Sequence, residues 1–358
     1  MRAKTWRAFG LAPFHFMLGD VRQEGPRIRT RDRTRACLGV VAAFLLLAVL
    51  AQPASSAPGL PFAPNQRVND GTGLTVQDQV AAAADPSGRV YAAWRDARNG
   101  DYDIYFATSL DGGRTFSASR RLGGDLAIGT RQEKPAVALG PPGTVVVAWQ
   151  DDRVMSFDYD IFASVSTDYG ATFSPAVRVS DAPGGTYQFS PSVGIDPFGN
   201  VYVAWQDRRA GNWDVRLARS SVSSFQFGPS VRVDDNLQGT ANQSAPSVAV
   251  SSTGIVYVAY HDDRAGKWNA DAYIARSRDG GASFAASVRI DDAGTSNSAQ
   301  GLVSLAIDGL GRLYAVWQDN RTGGFAVQFA KSTNGGASFS TSLKVSDGAR
   351  GTTGTAPR

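Results

Sequence analysis

VYVAWQDRR (residues 201–209) decides the fold, because near-copies of it stand at four other places in the chain. They are VYAAWRDAR (90–98), VVVAWQDDR (145–153), VYVAYHDDR (256–264) and LYAVWQDNR (313–321). Each is rich in β-branched and aromatic residues with period-two alternation, the pattern of a strand. The aromatic falls at Trp94, Trp149, Trp205, Tyr260 and Trp317, at spacings of 55, 56, 55 and 57 residues. Seventeen residues before each stands a glutamine: Gln77, Gln132, Gln188, Gln243 and Gln300. Two residues after it comes an aspartate (Asp96, Asp151, Asp207, Asp262, Asp319) and four after it an arginine (Arg98, Arg153, Arg209, Arg264, Arg321). Chance does not hold such a register through five copies, so this is a repeat protein.

Each copy reads as four short strands. PAVAL (135–139) or PSVAV (246–250) comes first, the VYVAWQD type second, DIYFATS (103–109) or DAYIARS (271–277) third, and VRVSD (177–181) or VRIDD (288–292) fourth. Turns such as Asp196-Pro197-Phe198-Gly199 separate the first two, with proline presetting φ and glycine supplying the left-handed residue. No window sustains a 3.6-residue period, so helix is not expected after residue 60. Four-stranded antiparallel units at fixed period are the mark of an all-β β-propeller. The blades fall at 71–122, 123–181, 182–235, 236–292 and 293–347, within a propeller of residues 58–347, and a further copy of the fourth strand stands at 66–70. The tail, 348–358, is worded like the linker that opens the fourth unit. Two expectations follow: a five-bladed ring with one extra strand, or a six-bladed plan lacking most of its last blade.

A second motif lies between the third and fourth strands. SLDGGRTF (109–116), STDYGATF (166–173), SRDGGASF (277–284) and STNGGASF (332–339) are good copies, and SSVSSFQF (220–227) keeps only the aromatic end. This resembles the Asp-box, or bacterial neuraminidase repeat, of the sialidase-like propellers, over about residues 62–347. The chemistry of such a box is structural. Asp111, Asp168, Asp279 and Asn334 tie down turn amides, glycine takes φ > 0, and the aromatic plugs the hairpin into its blade.

Composition narrows the function. Of 358 residues, 36 are Lys or Arg and 32 Asp or Glu. Residues 1–57 carry nine of the bases and three of the acids, so the remainder has 27 bases and 29 acids. The basic character belongs to the N-terminal segment, and a nucleic-acid partner loses its support. Beyond Ala57 there is no Cys and one His, His261, which excludes disulfides, Cys/His zinc sites and thiol catalysis. Asp101 and Asp103 beside Asn99 lack the full calcium-loop pattern, so neither a metal nor a cofactor is implied.

Ala36 to Ala51 is an apolar run of 16, preceded by alternating arginines and followed by Ala54, Ser55, Ser56 and Ala57. That is a secretory signal cleaved after Ser56 or Ala57, or, uncleaved, an N-terminal membrane anchor. The 35 residues ahead of the run are long for a leader, which also suits a start near Met17. The expected location is secreted or extracytoplasmic, with membrane contact only through this segment.

Antiparallel order places the start of the first strand and the end of the second at one end of each blade. The five Gln and five Arg therefore gather on one face, with His261 replacing a Gln in the repeat, and these are the candidate ligand-face residues. The repeated Asp and Arg also read as a pair that fixes the loop after the second strand. The resemblance implies three arginines on a substrate carboxylate, a Tyr nucleophile assisted by a Glu, and an Asp acid/base. Nothing after residue 57 matches the arginine-bearing segment of those enzymes; Arg67-Val68-Asn69 lacks its aromatic and proline. Glu133 is the one Glu beyond the leader, and its partner is expected to be Tyr187 in the neighbouring blade. Near-identical units favour repeated binding of a glycan or an extracellular protein over catalysis, which needs groups in unlike environments. The alternative is a glycoside hydrolase of exo-α-sialidase type acting on the same face.

Overall fold

In this computed structural model the described residues are 64–346, apart from 74, 125–128, 238, 267–268 and 295–297. The leader (1–57) and tail (348–358) lie outside them. The described part is a five-bladed, all-β propeller of four-stranded antiparallel sheets. The first blade is β1 (Gln77–Ala84), β2 (Val90–Asp96), β3 (Asp103–Ser109) and β4 (Arg120–Arg121). The second is β5 (Gln132–Leu139), β6 (Val145–Met155), β7 (Asp158–Ser166) and β8 (Val177–Arg178). The third is β9 (Gln188–Ile195), β10 (Asn200–Asp207), β11 (Asp214–Ser221) and β12 (Val231–Arg232). The fourth is β13 (Gln243–Val250), β14 (Val256–Asp262), β15 (Asp271–Ser277) and β16 (Val288–Arg289). The fifth is β17 (Gln300–Ile307), β18 (Leu313–Asp319), β19 (Ala326–Ser332) and β20 (Leu343–Lys344).

Strands of a blade follow one another in order, and the first strands are innermost: β1 packs on β5, β5 on β9, β9 on β13 and β13 on β17. The apolar core is laminated between blades. One layer joins the first and second around Phe106 and Trp149, and the next joins the second and third around Ile161 and Trp205. Tyr202 and Tyr260 lie in the layer between the third and fourth blades, and Trp317 in that between the fourth and fifth. Alternation in the second strands puts these rings inside, where each removes a large apolar area from water.

The end blades differ from the middle ones. Val345, just after β20, is 55% exposed, whereas its counterparts Leu122, Val179, Val233 and Ile290 are at most 3% exposed. On the first blade Val80 is 47% exposed, while Pro135, Pro191 and Pro246 at the same position are buried. Residues 66–70, expected as an extra strand, form no ladder. They dock through side chains instead. Val68 packs against Trp94 and Tyr105. Asp70 accepts from Arg98 (2.8 Å) and the Ser119 amide (2.8 Å), as Asp181 does from Arg209 and Ser230 two blades later.

The S-x-[DN]-x-G turns sit at the end of the blades away from the repeated Gln. In the first, Asp111 Oδ1 accepts from the amides of Arg114 and Thr115, and the Gly113 amide donates to Ser109 Oγ. Asp168, Asp279 and Asn334 accept the amide four residues on in the same way. Thr172 Oγ1 and backbone amides hold the Asp168 carboxyl at about 2. A carboxylate tied by that many donors holds a turn rather than a ligand.

Candidate functional site

The repeated residues form the scaffold of the expected face. Each Gln opens a first strand opposite the Asp that closes the second, as Gln132 faces Asp151. Gln132, Gln188, Gln243 and Gln300 are at most 2% exposed, and Gln77 is half-buried. This corrects the expectation that the glutamines meet a ligand: four of the five are closed off from solvent. Gln132 Oε1 accepts from the Ile104 amide of the preceding blade (2.9 Å), and its Nε2 donates to Asp151 (3.0 Å). The aspartates are fully buried and accept from the indole two residues before, as Trp205 Nε1 donates to Asp207 Oδ2 at 2.9 Å. Tyr260 has no ring N–H to give Asp262.

The arginines carry a second correction. Arg98, Arg209, Arg264 and Arg321 each grip two carboxylates, one in their own blade and one from the segment ahead of it, which for the last three follows the preceding fourth strand. Arg153 pairs with Asp151 and donates to the Gly123 carbonyl. Guanidinium groups so committed brace the loops and leave no fork for a substrate acid.

Two residues past each Gln the chain turns left-handed. Gln79, Lys134, Ser190, Ala245 and Leu302 have φ between 49° and 54°, and the ladder slips there in every blade. Such bulges re-aim the flanking side chains and cost on the order of 1–3 kcal/mol each. The freed amides are capped across the seam. Gln150 Oε1 takes the Ser190 amide (3.1 Å) and Gln206 Oε1 that of Ala245 (3.2 Å). His261 stands at the corresponding place and accepts the Val303 amide through Nε2 at 2.9 Å. Burial pulls its pKa down to about 4, so it is a neutral acceptor filling a glutamine's role, and only 8% of it is exposed.

What differs between blades lies beside these fixed parts. The residue after each Gln is Asp78, Glu133, Phe189, Ser244 or Gly301, and the residue before each third-strand core is Tyr102, Tyr159, Trp213, Ala270 or Phe325. In the first two blades they make a charged corner. Arg95 takes Asp78 with two nitrogens (2.7 and 2.8 Å) and Glu133 Oε1 with the third (2.6 Å), while stacking 4.1 Å over Tyr102. Gln150 Nε2 donates to the other Glu133 oxygen at 3.3 Å.

The second and third blades make an aromatic wall. Phe189 meets Tyr159 at 5.5 Å between centroids, Tyr187 at 6.0 Å and Trp213 at 5.4 Å, the Tyr187 ring lying nearly parallel at 17°. Tyr187 is 41% exposed. Arg208 lies 5.8 Å from the Trp213 ring, and Lys134 Nζ donates to Ser190 Oγ at 3.2 Å. Burial, and then the charges of Glu133 and Asp152, push the Tyr159 phenol up to about 12. The Glu133 charge thus acts on Tyr159, while Tyr187, the expected partner, stacks on Phe189. Asp103 is ion-paired to Arg121, and among the described residues no cluster of His, Cys, Asp or Glu could hold a metal.

Recurrence pointed to the scaffold, whereas Asp78, Arg95, Tyr159, Phe189 and Trp213 interrupt it. A search for departures from the repeat on one blade end would have found them.

The overall architecture has solved counterparts. A Hadza microbial sialidase superposes with a TM-score of 0.52 at 17% identity, covering 76% of this chain and 59% of that one. The chain has the sialidase-like propeller fold. An α-L-arabinanase of Penicillium chrysogenum complexed with arabinobiose gives 0.53 at 14% identity, covering 74% of this propeller chain and 79% of its own. A Dyadobacter fermentans protein of unknown function gives 0.52 at 16%, with 71% and 79% covered. No family model and no curated protein matches the sequence.

Proposed function

We propose that this chain is an exported propeller that recognises glycans on the face where its blades depart from their repeat. The observation that carries this reading is the wall of Tyr159, Tyr187, Phe189 and Trp213, four rings from two adjacent blades with a half-exposed edge. Aromatic faces bordered by hydrogen-bonding groups suit the apolar and polar sides of a sugar ring. The sialidase and arabinanase that share the fold act on carbohydrates, which supports the class of ligand and no particular sugar. Export rests on the basic, apolar and small-residue order of residues 27–57.

The test is glycan-array binding followed by titration of Trp213→Ala and Phe189→Ala. Loss of binding in both, with an unchanged thermal midpoint, supports the site. Binding to protein partners alone, with no glycan retained, overturns it.

One observation favours hydrolysis as a second reading: the Glu133 charge acts on Tyr159. Turnover of aryl glycosides, abolished in Glu133→Gln, would establish it. Against it, both Glu133 oxygens already accept hydrogen bonds, and a phenol raised to about 12 is a reluctant nucleophile.

A further inference from the structure

Three cations that border the aromatic wall, Arg131, Lys134 and Arg208, are ion-paired to no described carboxylate. Arg131 lies 4.7 Å from the Phe157 ring, and its charge acts on the Tyr159 phenol. Lys134 reaches Ser190, next to Phe189, and Arg208 stands over Trp213. They contrast with the repeated arginines, which are closed by acids from two blades. Glu133, the nearest acid to Lys134, is already held by Arg95.

Phe189 adjoins both Tyr159 (5.5 Å between centroids) and Trp213 (5.4 Å), so the rings form one continuous apolar surface across two blades. A cation stands near each of these three rings. From this geometry we infer that the site takes a polyanionic glycan, a chain with carboxylate or sulfate on successive sugars, lying across the second and third blades. This rests on the glycan reading above and narrows it. Arginine suits planar oxyanions by its fork and Lys134 adds a point charge, so both carboxylate and sulfate esters fit.

The test uses matched probes by calorimetry at low and moderate salt. They are oligogalacturonide against its carboxyl-reduced neutral counterpart, a sulfated carrageenan oligosaccharide against its desulfated form, and sialyllactose as a sugar with one terminal charge. The expected result is at least about tenfold tighter binding of the charged chains than of their neutral counterparts, weakening with salt. Which pair shows the difference distinguishes carboxylate from sulfate. Arg208→Gln combined with Lys134→Gln should remove most of the difference while leaving the melting temperature and the neutral sugars' weak binding in place. Arg208→Lys should restore part of it. Equal binding of neutral and charged chains, or sialyllactose binding as tightly as oligogalacturonide, overturns this inference and leaves glycan recognition standing. Binding of no probe overturns both.

Discussion

Arg95 of the first blade holds Glu133 of the second at 2.6 Å while keeping Asp78 on its other edge. One guanidinium thus ties the one glutamate of the described propeller into a seam between blades. The side chains of Arg95 and Glu133 are only 13% and 17% exposed, so the pair is shielded from much of the screening that weakens surface bridges. A double-mutant cycle with Arg95→Met and Glu133→Gln should give a coupling of about 1–2 kcal/mol. A coupling within about 0.3 kcal/mol of zero, the usual scatter between independent sites, would show that the contact is incidental.

Trp205 lies in the layer between the second and third blades with no exposed surface, and its indole N–H donates to buried Asp207. Trp205→Ala should cost about 3–5 kcal/mol in urea unfolding, from lost burial and the cavity left behind. Trp205→Phe keeps most of the volume and removes the donor to Asp207, and should cost about 1–2 kcal/mol. A smaller loss for Ala than for Phe would contradict the packing.

His261 gives a pH prediction with a definite sign. Its folded pKa, about 4, lies below the ordinary 6.5 because burial penalises the charged ring. The unfolded chain then binds a proton that the folded one refuses, so the stability tied to this group is full above pH 6.5 and falls away as pH drops toward 4. His261→Gln keeps an acceptor for the Val303 amide and removes the titration. Its unfolding free energy should therefore decline less than that of the parent between pH 7 and 4. His261→Leu orphans the amide and should cost about 1–3 kcal/mol at neutral pH. Parallel pH profiles for parent and Gln variant would refute the assignment.

Asp181 titrates in the opposite sense. Despite the cost of burial, the Ser230 amide and hydroxyl and the Arg209 guanidinium hold its carboxyl at about 2. A depressed carboxyl stabilises the fold above its unfolded value and loses that contribution as pH falls through its folded one. Asp181→Asn should lose about 1–2 kcal/mol at pH 7, a modest figure because the side chain is 33% exposed. That difference should narrow as pH falls from about 4 and close only below the folded value of about 2, as followed by urea unfolding across pH. A gap that does not narrow between about pH 4 and 2 would point to shape rather than charge.

The strand pattern, the five repeated units and the face that gathers Gln, Asp and Arg were present in the linear text, while the choice between a five-bladed and a six-bladed plan was not. Period-two alternation at a fixed spacing leaves an antiparallel chain few other ways to bury Trp94, Trp149, Trp205 and Trp317. What those polar residues do was not there to be read, because whether a charge meets solvent or a partner depends on the blade next door. Only the tertiary structure buried four of the repeated glutamines and closed Arg209, Arg264 and Arg321 with a second carboxylate from the previous blade. The aromatic wall is likewise a product of the tertiary structure. Tyr159, Phe189 and Trp213 are far apart in the chain and follow no shared motif, and the packing of β9 on the second blade brings them together.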